Sequence, residues 1–156
     1  VNWFARKLYA AAYRKTLAEN PDNREVNCSI GCCYLKLKMY DKALAAFEKA
    51  IEDNFEDAEP YYMAAIALLQ GKKAFVAPRA SIDKALEYLN AACEIQPKAV
   101  YYYFQAYIKQ DYFDRKYLNT TPNYKELLQQ SADLGMTEEA ADSFFSILGV
   151  PRPECL

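Results

Sequence analysis

Three of the chain's five cysteines stand together in the stretch CSIGCCYLKLKMY at 28–40. Cys28, Cys32 and Cys33 are thus the first residues whose type and spacing could do chemistry. A structural zinc site takes four Cys or His ligands. This sequence has no histidine, Cys93 lies in a different part of the chain, and Cys155 sits in a proline-flanked tail, so no metal is expected. A redox pair favours C-x-x-C spacing and a nearby cation. Cys28 and Cys32 have three residues between them, and a helix holds them too far apart for an unstrained bridge. The thiols therefore read as structural. A serine or cysteine nucleophile would ordinarily call for a base, and the usual imidazole is missing. Gly71-Lys72-Lys73 lacks the rest of a phosphate-binding loop, and the carboxylates fall on exposed helix faces and at helix starts. No cofactor is expected, and the chain reads as a non-enzyme.

The bulk composition narrows the remaining classes. With 53% hydrophobic and 26% charged residues, the 156-residue chain reads as globular and is long enough for a sizeable core. Nineteen basic residues against 21 acidic ones give a net charge of −2, which leaves no positive excess for a nucleic acid backbone. Ala, Leu, Lys, Glu and Tyr dominate without sustained alternation, which predicts an all-α chain. No run of about 18 apolar residues and no signal-peptide pattern is present, so no membrane insertion is expected. The odd cysteine count favours a reducing compartment, and a cytoplasmic location is expected. Residue 1 is valine, and Trp3 to Tyr13 already runs at helical spacing, which suggests a piece of a longer chain.

Self-similarity organises the elements that must position these residues. LAENP at 17–21 pairs with IEDNF at 51–55 at an offset of 34, and the same offset pairs Tyr13 with Phe47, Leu17 with Ile51, Glu25 with Glu59 and Gly31 with Ala65. Small Gly31, Ala43 and Ala50 allow two antiparallel helices to approach, with Tyr34 and Phe47 filling the space beside them and the turn YDK at 40–42 between them. Asn23 is placed to cap the first of these helices, and Asp57, followed by Pro60, to cap the next.

The pattern Ile30-Gly31-x-x-Tyr34, Ala43-Leu44, Phe47-x-x-Ala50, with Pro21 closing the preceding unit and Phe55 where proline is usual, resembles the tetratricopeptide repeat. The next unit resembles it through Ala64, Ala65, Leu68, Ala85, Leu89, Ala92 and Pro97, and a weaker third through Ala106 and Tyr107. The resemblance implies a right-handed α-solenoid of antiparallel helix pairs. One domain over 1–150 would hold a half repeat at 3–21, a repeat at 24–55, a repeat with an inserted loop at 58–97, a degenerate repeat at 100–136 and a capping helix at 137–148 starting at Thr137. A tail at 149–156 would follow. Ala43 and Ala85 are 42 apart, eight more than the period, and the surplus falls in GKKAFVAPRAS at 71–81. Ala92 and Ser131 are 39 apart, five more, and that surplus falls near DYFDRKYLNTT at 111–121.

What the resemblance implies about function is a non-catalytic module that binds a protein or peptide. The first helices of successive hairpins would line a concave groove for an extended peptide or a partner's helix. The matching positions are Glu25, Cys28 and Cys32, then Glu59, Tyr62 and Ile66, then Tyr101, Phe104 and Ile108. None of them is basic, so the Lys, Asn and Arg clamp that some members use for a terminal carboxylate is missing. Tyr61 and Tyr103 are expected in the core, Tyr62 and Tyr101 against a partner. The alternative is a structural segment of a larger protein whose groove is filled by its own chain.

Overall fold

The structure is a computed structural model. It describes residues 23–156 throughout and, before them, Lys7, Leu8, Ala11, Ala12, Arg14, Lys15, Ala18 and Glu19, all helical. The half repeat expected over 3–21 otherwise lies outside the described residues. Among the described residues there are seven α-helices and no strand: α1 Arg24–Lys36, α2 Tyr40–Ile51, α3 Glu59–Leu68, α4 Arg79–Ile95, α5 Ala99–Ile108, α6 Tyr124–Asp133 and α7 Glu138–Leu148. The pairs α1/α2, α3/α4 and α5/α6 pack as hairpins, and the hairpins stack through α2 on α3 and α4 on α5. The chain is an all-helical solenoid.

The first hairpin shows how the sequence dictates the packing. Asn23 accepts the Val26 N–H through its side-chain oxygen at 3.0 Å, satisfying one of the donors that a helix start leaves free. One turn further along, Gly31 faces the fully buried ring of Phe47. A Cβ there would lie 2.6 Å from Phe47 Cε1, so the absent side chain is what lets the helices close. Lys38 adopts a left-handed conformation, φ +58°, and reverses the chain within Leu37–Met39. Tyr40, Asp41 and Lys42, expected as the turn, instead open α2. Cys33, on the same helix, is only partly buried.

The link between hairpins is made by Asn54, which is fully buried. Its side-chain oxygen accepts the Glu56 N–H at 3.1 Å and the Asp57 N–H at 3.0 Å, while Nδ2 donates to the Asp57 carbonyl at 2.9 Å. These bonds hold the turn where proline is usual, and Phe55 is left 81% exposed. Ala58 occupies the cap position of α3, one residue later than expected, and Asp57 still accepts the Glu59 N–H at 3.1 Å.

Helices α3 and α5 are apolar on nearly every side because neighbours cover them all round. Helix α7 starts at the Thr137 hydroxyl, which accepts the Ala140 N–H at 3.1 Å, and stops at Gly149, φ +81°. It covers α5 with Phe144 and Phe145. The Phe144 ring lies 4.9 Å from that of Phe104, and the Phe145 ring 5.3 Å from that of Tyr107. The tail returns through Arg152, which pairs with Glu138 at 2.8 Å and Asp142 at 3.0 Å.

Candidate functional site: an acidic thiol patch and two interlocked insertions

The nine residues expected to line a groove divide into two groups. Tyr62, Ile66, Tyr101, Phe104 and Ile108 are buried, the last four at no more than 1% exposure. Tyr62 stacks on Tyr101 at 5.1 Å and meets Phe104 edge-on at 6.1 Å, and Phe104 is covered in turn by Phe144. Aromatic side chains are long enough to bridge successive first helices, and here the rings pack on one another. The tyrosine pair at 61–62 is not divided as expected, since both rings pack against the core. Tyr61 is partly exposed and packs edge-on against Tyr88, while Tyr62 is core. Of the triplet at 101–103, both Tyr101 and Tyr103 are core.

Glu25, Cys28, Cys32 and Glu59 remain at the surface, wholly or in part. Glu25, Cys28 and Cys32 follow one another at helical spacing along a single face of α1. The Cys28 thiol donates to Cys32 and is pushed well above the ordinary thiol value by that bond, by burial and by the nearby Asp57 and Glu59 carboxylates. Cys32, as the acceptor, is lowered, with Lys36 one turn on acting in the same direction. Glu59 is steadied by the Tyr101 hydroxyl, which donates to its Oε2 at 3.1 Å. The result is a carboxylate-rich edge with a small apolar thiol floor. All five cysteines are free, and no group of three or more metal-ligating side chains occurs among the described residues.

A second constellation was not legible in the sequence. The loop after α3 carries a 3-10 turn at Ala74–Val76, and α5 continues into a π-helical turn at Lys109–Phe113 followed by a 3-10 turn at Asp114–Lys116. These two insertions, from successive hairpins, pack on each other. Buried Asp111 accepts the Phe75 N–H at 2.8 Å and pairs with Arg115 at 2.8 Å, and the Tyr107 hydroxyl accepts the Ala74 N–H at 3.0 Å. Cations interleave with rings across the joint. Arg115 lies 4.2 Å from the Phe75 centroid, Lys116 3.7 Å from that of Tyr112, and Arg79 4.9 Å from that of Phe113. The only sequence signal was the surplus length in both units.

Stacked hairpins in which a missing side chain admits a ring from the facing helix define a helical-repeat protein. The family model of the tetratricopeptide repeat matches residues 25–52, so the chain carries a tetratricopeptide repeat. Among solved structures, the chain is similar to one described as MamA MSR-1 C2, with a TM-score of 0.60, 18% identity, and coverage of 83% of this chain and 67% of that one. It is also similar to a crystal structure of MamA, with a TM-score of 0.57, 19% identity, and coverage of 88% and 66%. The chain thus spans about two thirds of each, and at these identities the likeness is one of fold. No curated protein matches the chain. Tetratricopeptide repeats are in general non-catalytic modules for protein–protein interaction.

Proposed function

We propose that this chain is a non-catalytic protein-interaction module. Its open acidic edge, formed by Glu25, Cys28, Cys32 and Glu59, takes a peptide or partner helix that presents basic side chains with small apolar ones between them. The observation that carries the reading is the charge pattern of that edge. Asp57 and Glu59 stand close enough to the Cys28 thiol to raise it, and the cation that acts on the thiol pair is Lys36 at the end of the edge. A ligand ending in a free carboxylate would meet like charge there, so docking through a terminal carboxylate is not part of this proposal.

The alternative, a face filled by the chain itself, fits the half built by α5 and α7, where Phe104 is sealed by Phe144. The proposed contact surface is therefore shorter than the nine-residue groove. Selection from a random peptide library on the immobilised chain tests it. The expected result is enrichment of Lys- and Arg-containing peptides, with binding lost in the Glu25→Lys, Glu59→Gln double variant, which keeps an acceptor for the Tyr101 hydroxyl, at nearly unchanged melting temperature. Enrichment of acidic peptides, or binding indifferent to the double variant, would overturn it.

A further inference from the structure

The π-helical turn holds a lysine whose environment is not explained by packing. Lys109 is 8% exposed, yet among the described residues no carboxylate lies within ion-pair distance of it. Its Nζ donates to the Thr120 hydroxyl and lies 5.1 Å from the Phe113 ring centroid. Burying an ammonium without a counter-charge is costly, and one neutral hydroxyl satisfies only one of its three donors. Lys109 also lines a cavity of about 350 Å³ between the turn, the 118–121 segment and the start of α6. Its other polar lining comes from Asn119, Thr120, Thr121 and Asn123, with the exposed Asp114 as its one carboxylate. The site is separate from the acidic edge, and the charge it lacks is negative.

We propose that this cavity binds a single small oxyanion group of low charge, seated on Lys109 Nζ and the Thr120 hydroxyl. Hydroxyl and amide groups are the donors that complete the coordination of such a group once an ammonium supplies the charge. Asp114 in the same wall disfavours multiply charged ligands, which sets the class at a carboxylate or a monobasic phosphate. Burial, with Arg79 acting in the same direction, lowers the Lys109 ammonium value, and a bound anion would raise it again.

The test is a titration of the chain with sodium acetate and, separately, with inorganic phosphate near pH 6. Chloride holds the ionic strength constant, and the lysine side-chain nitrogen resonances are followed by NMR. The expected result is a saturable displacement of Lys109 Nζ with a millimolar midpoint, as befits a ligand of so few atoms. It should disappear in Lys109→Met and weaken about tenfold in Thr120→Val, which keeps the charge. A lower midpoint for acetate assigns the site to carboxylates, and a lower one for phosphate to phosphate groups. If Lys109→Met does not fold, the wild-type and Thr120→Val titrations decide between the outcomes. A wild-type response that does not saturate, or backbone shifts at Thr120 and Thr121 that persist unchanged in a folded Lys109→Met, would overturn the proposal.

Discussion

Gly31→Ala tests the contact on which the first hairpin closes. The added methyl would lie 2.6, 2.8 and 2.9 Å from three atoms of the Phe47 ring, roughly 1 Å inside ordinary carbon contact at about 3.5–4.0 Å. Phe47 is 0% exposed, so the ring has no solvent side to turn towards. Overpacking of this kind costs about 1–3 kcal/mol. Against it stands the gain of about 1 kcal/mol when alanine replaces glycine inside a helix. The steric term wins, and the net loss is about 1 kcal/mol, or a fall in Tm of about 2–4 °C for a chain of this length. The assay is urea unfolding followed by circular dichroism, repeated in a Phe47→Leu background. Without the ring, Gly31→Ala should be neutral or stabilise by up to about 1 kcal/mol, and the difference between backgrounds isolates the contact. A stabilising effect in the wild-type background, or an equal cost in both, would refute the reasoning.

Two further outcomes follow from burial. Phe104→Ala should cost about 3–5 kcal/mol in the same unfolding assay, because it removes a ring enclosed by Tyr62 and Phe144; a loss under about 1 kcal/mol would mean that the ring faces solvent. Stability should also fall at alkaline pH. Burial pushes the Cys93 thiol from 9.0 up to about 11 and raises Tyr62 and Tyr107 above their ordinary 10.0. The unfolded chain therefore releases these protons first, so their contribution is present below pH 9 and is lost as the pH climbs through 9 to 11 and beyond. Urea midpoints at about pH 8 and about pH 11 measure the fall, Cys93→Ala should remove its first part, and a flat profile would contradict it.

The hairpins were legible because their determinants are local. Asn23, Gly31, Phe47 and Thr137 each act within one helix or across one seam, so residue type at the right spacing predicts both element and contact. Asn54 showed in the sequence only as a position shared with Asn20 at the repeat offset, and its work in the proline-free turn required the fold. The groove was harder to read. Helical spacing placed Tyr62, Tyr101 and Phe104 on a common face, but it does not report how far a ring reaches, and these rings span the gap to the next helix. Glu25 and Cys28 stay at the surface because no such ring crosses in front of them. The two insertions could be counted as surplus residues, yet their partnership depends on Asp111 meeting the Phe75 N–H, 36 positions back along the chain. Such a contact leaves no periodic trace.

That partnership has a consequence for how the solenoid comes apart. Helical repeats ordinarily behave as a row of units, each held by its own stability and by the interface to its neighbour. The bonds from Asp111 and Tyr107 to the loop after α3 add a second tie between the hairpins α3/α4 and α5/α6, beside the packing of α4 on α5. Parting these two hairpins therefore requires the two insertions to separate as well. The α1/α2 hairpin has ties of its own to α3/α4 besides the packing of α2 on α3, with Tyr88 donating to Glu48 at 2.6 Å and Gln70 to Asp41 at 3.2 Å. The acidic edge carried by Glu25, Cys28 and Cys32 is therefore presented from a unit tied to its neighbour by side-chain bonds as well as by helix packing, so the three hairpins should open together rather than one by one.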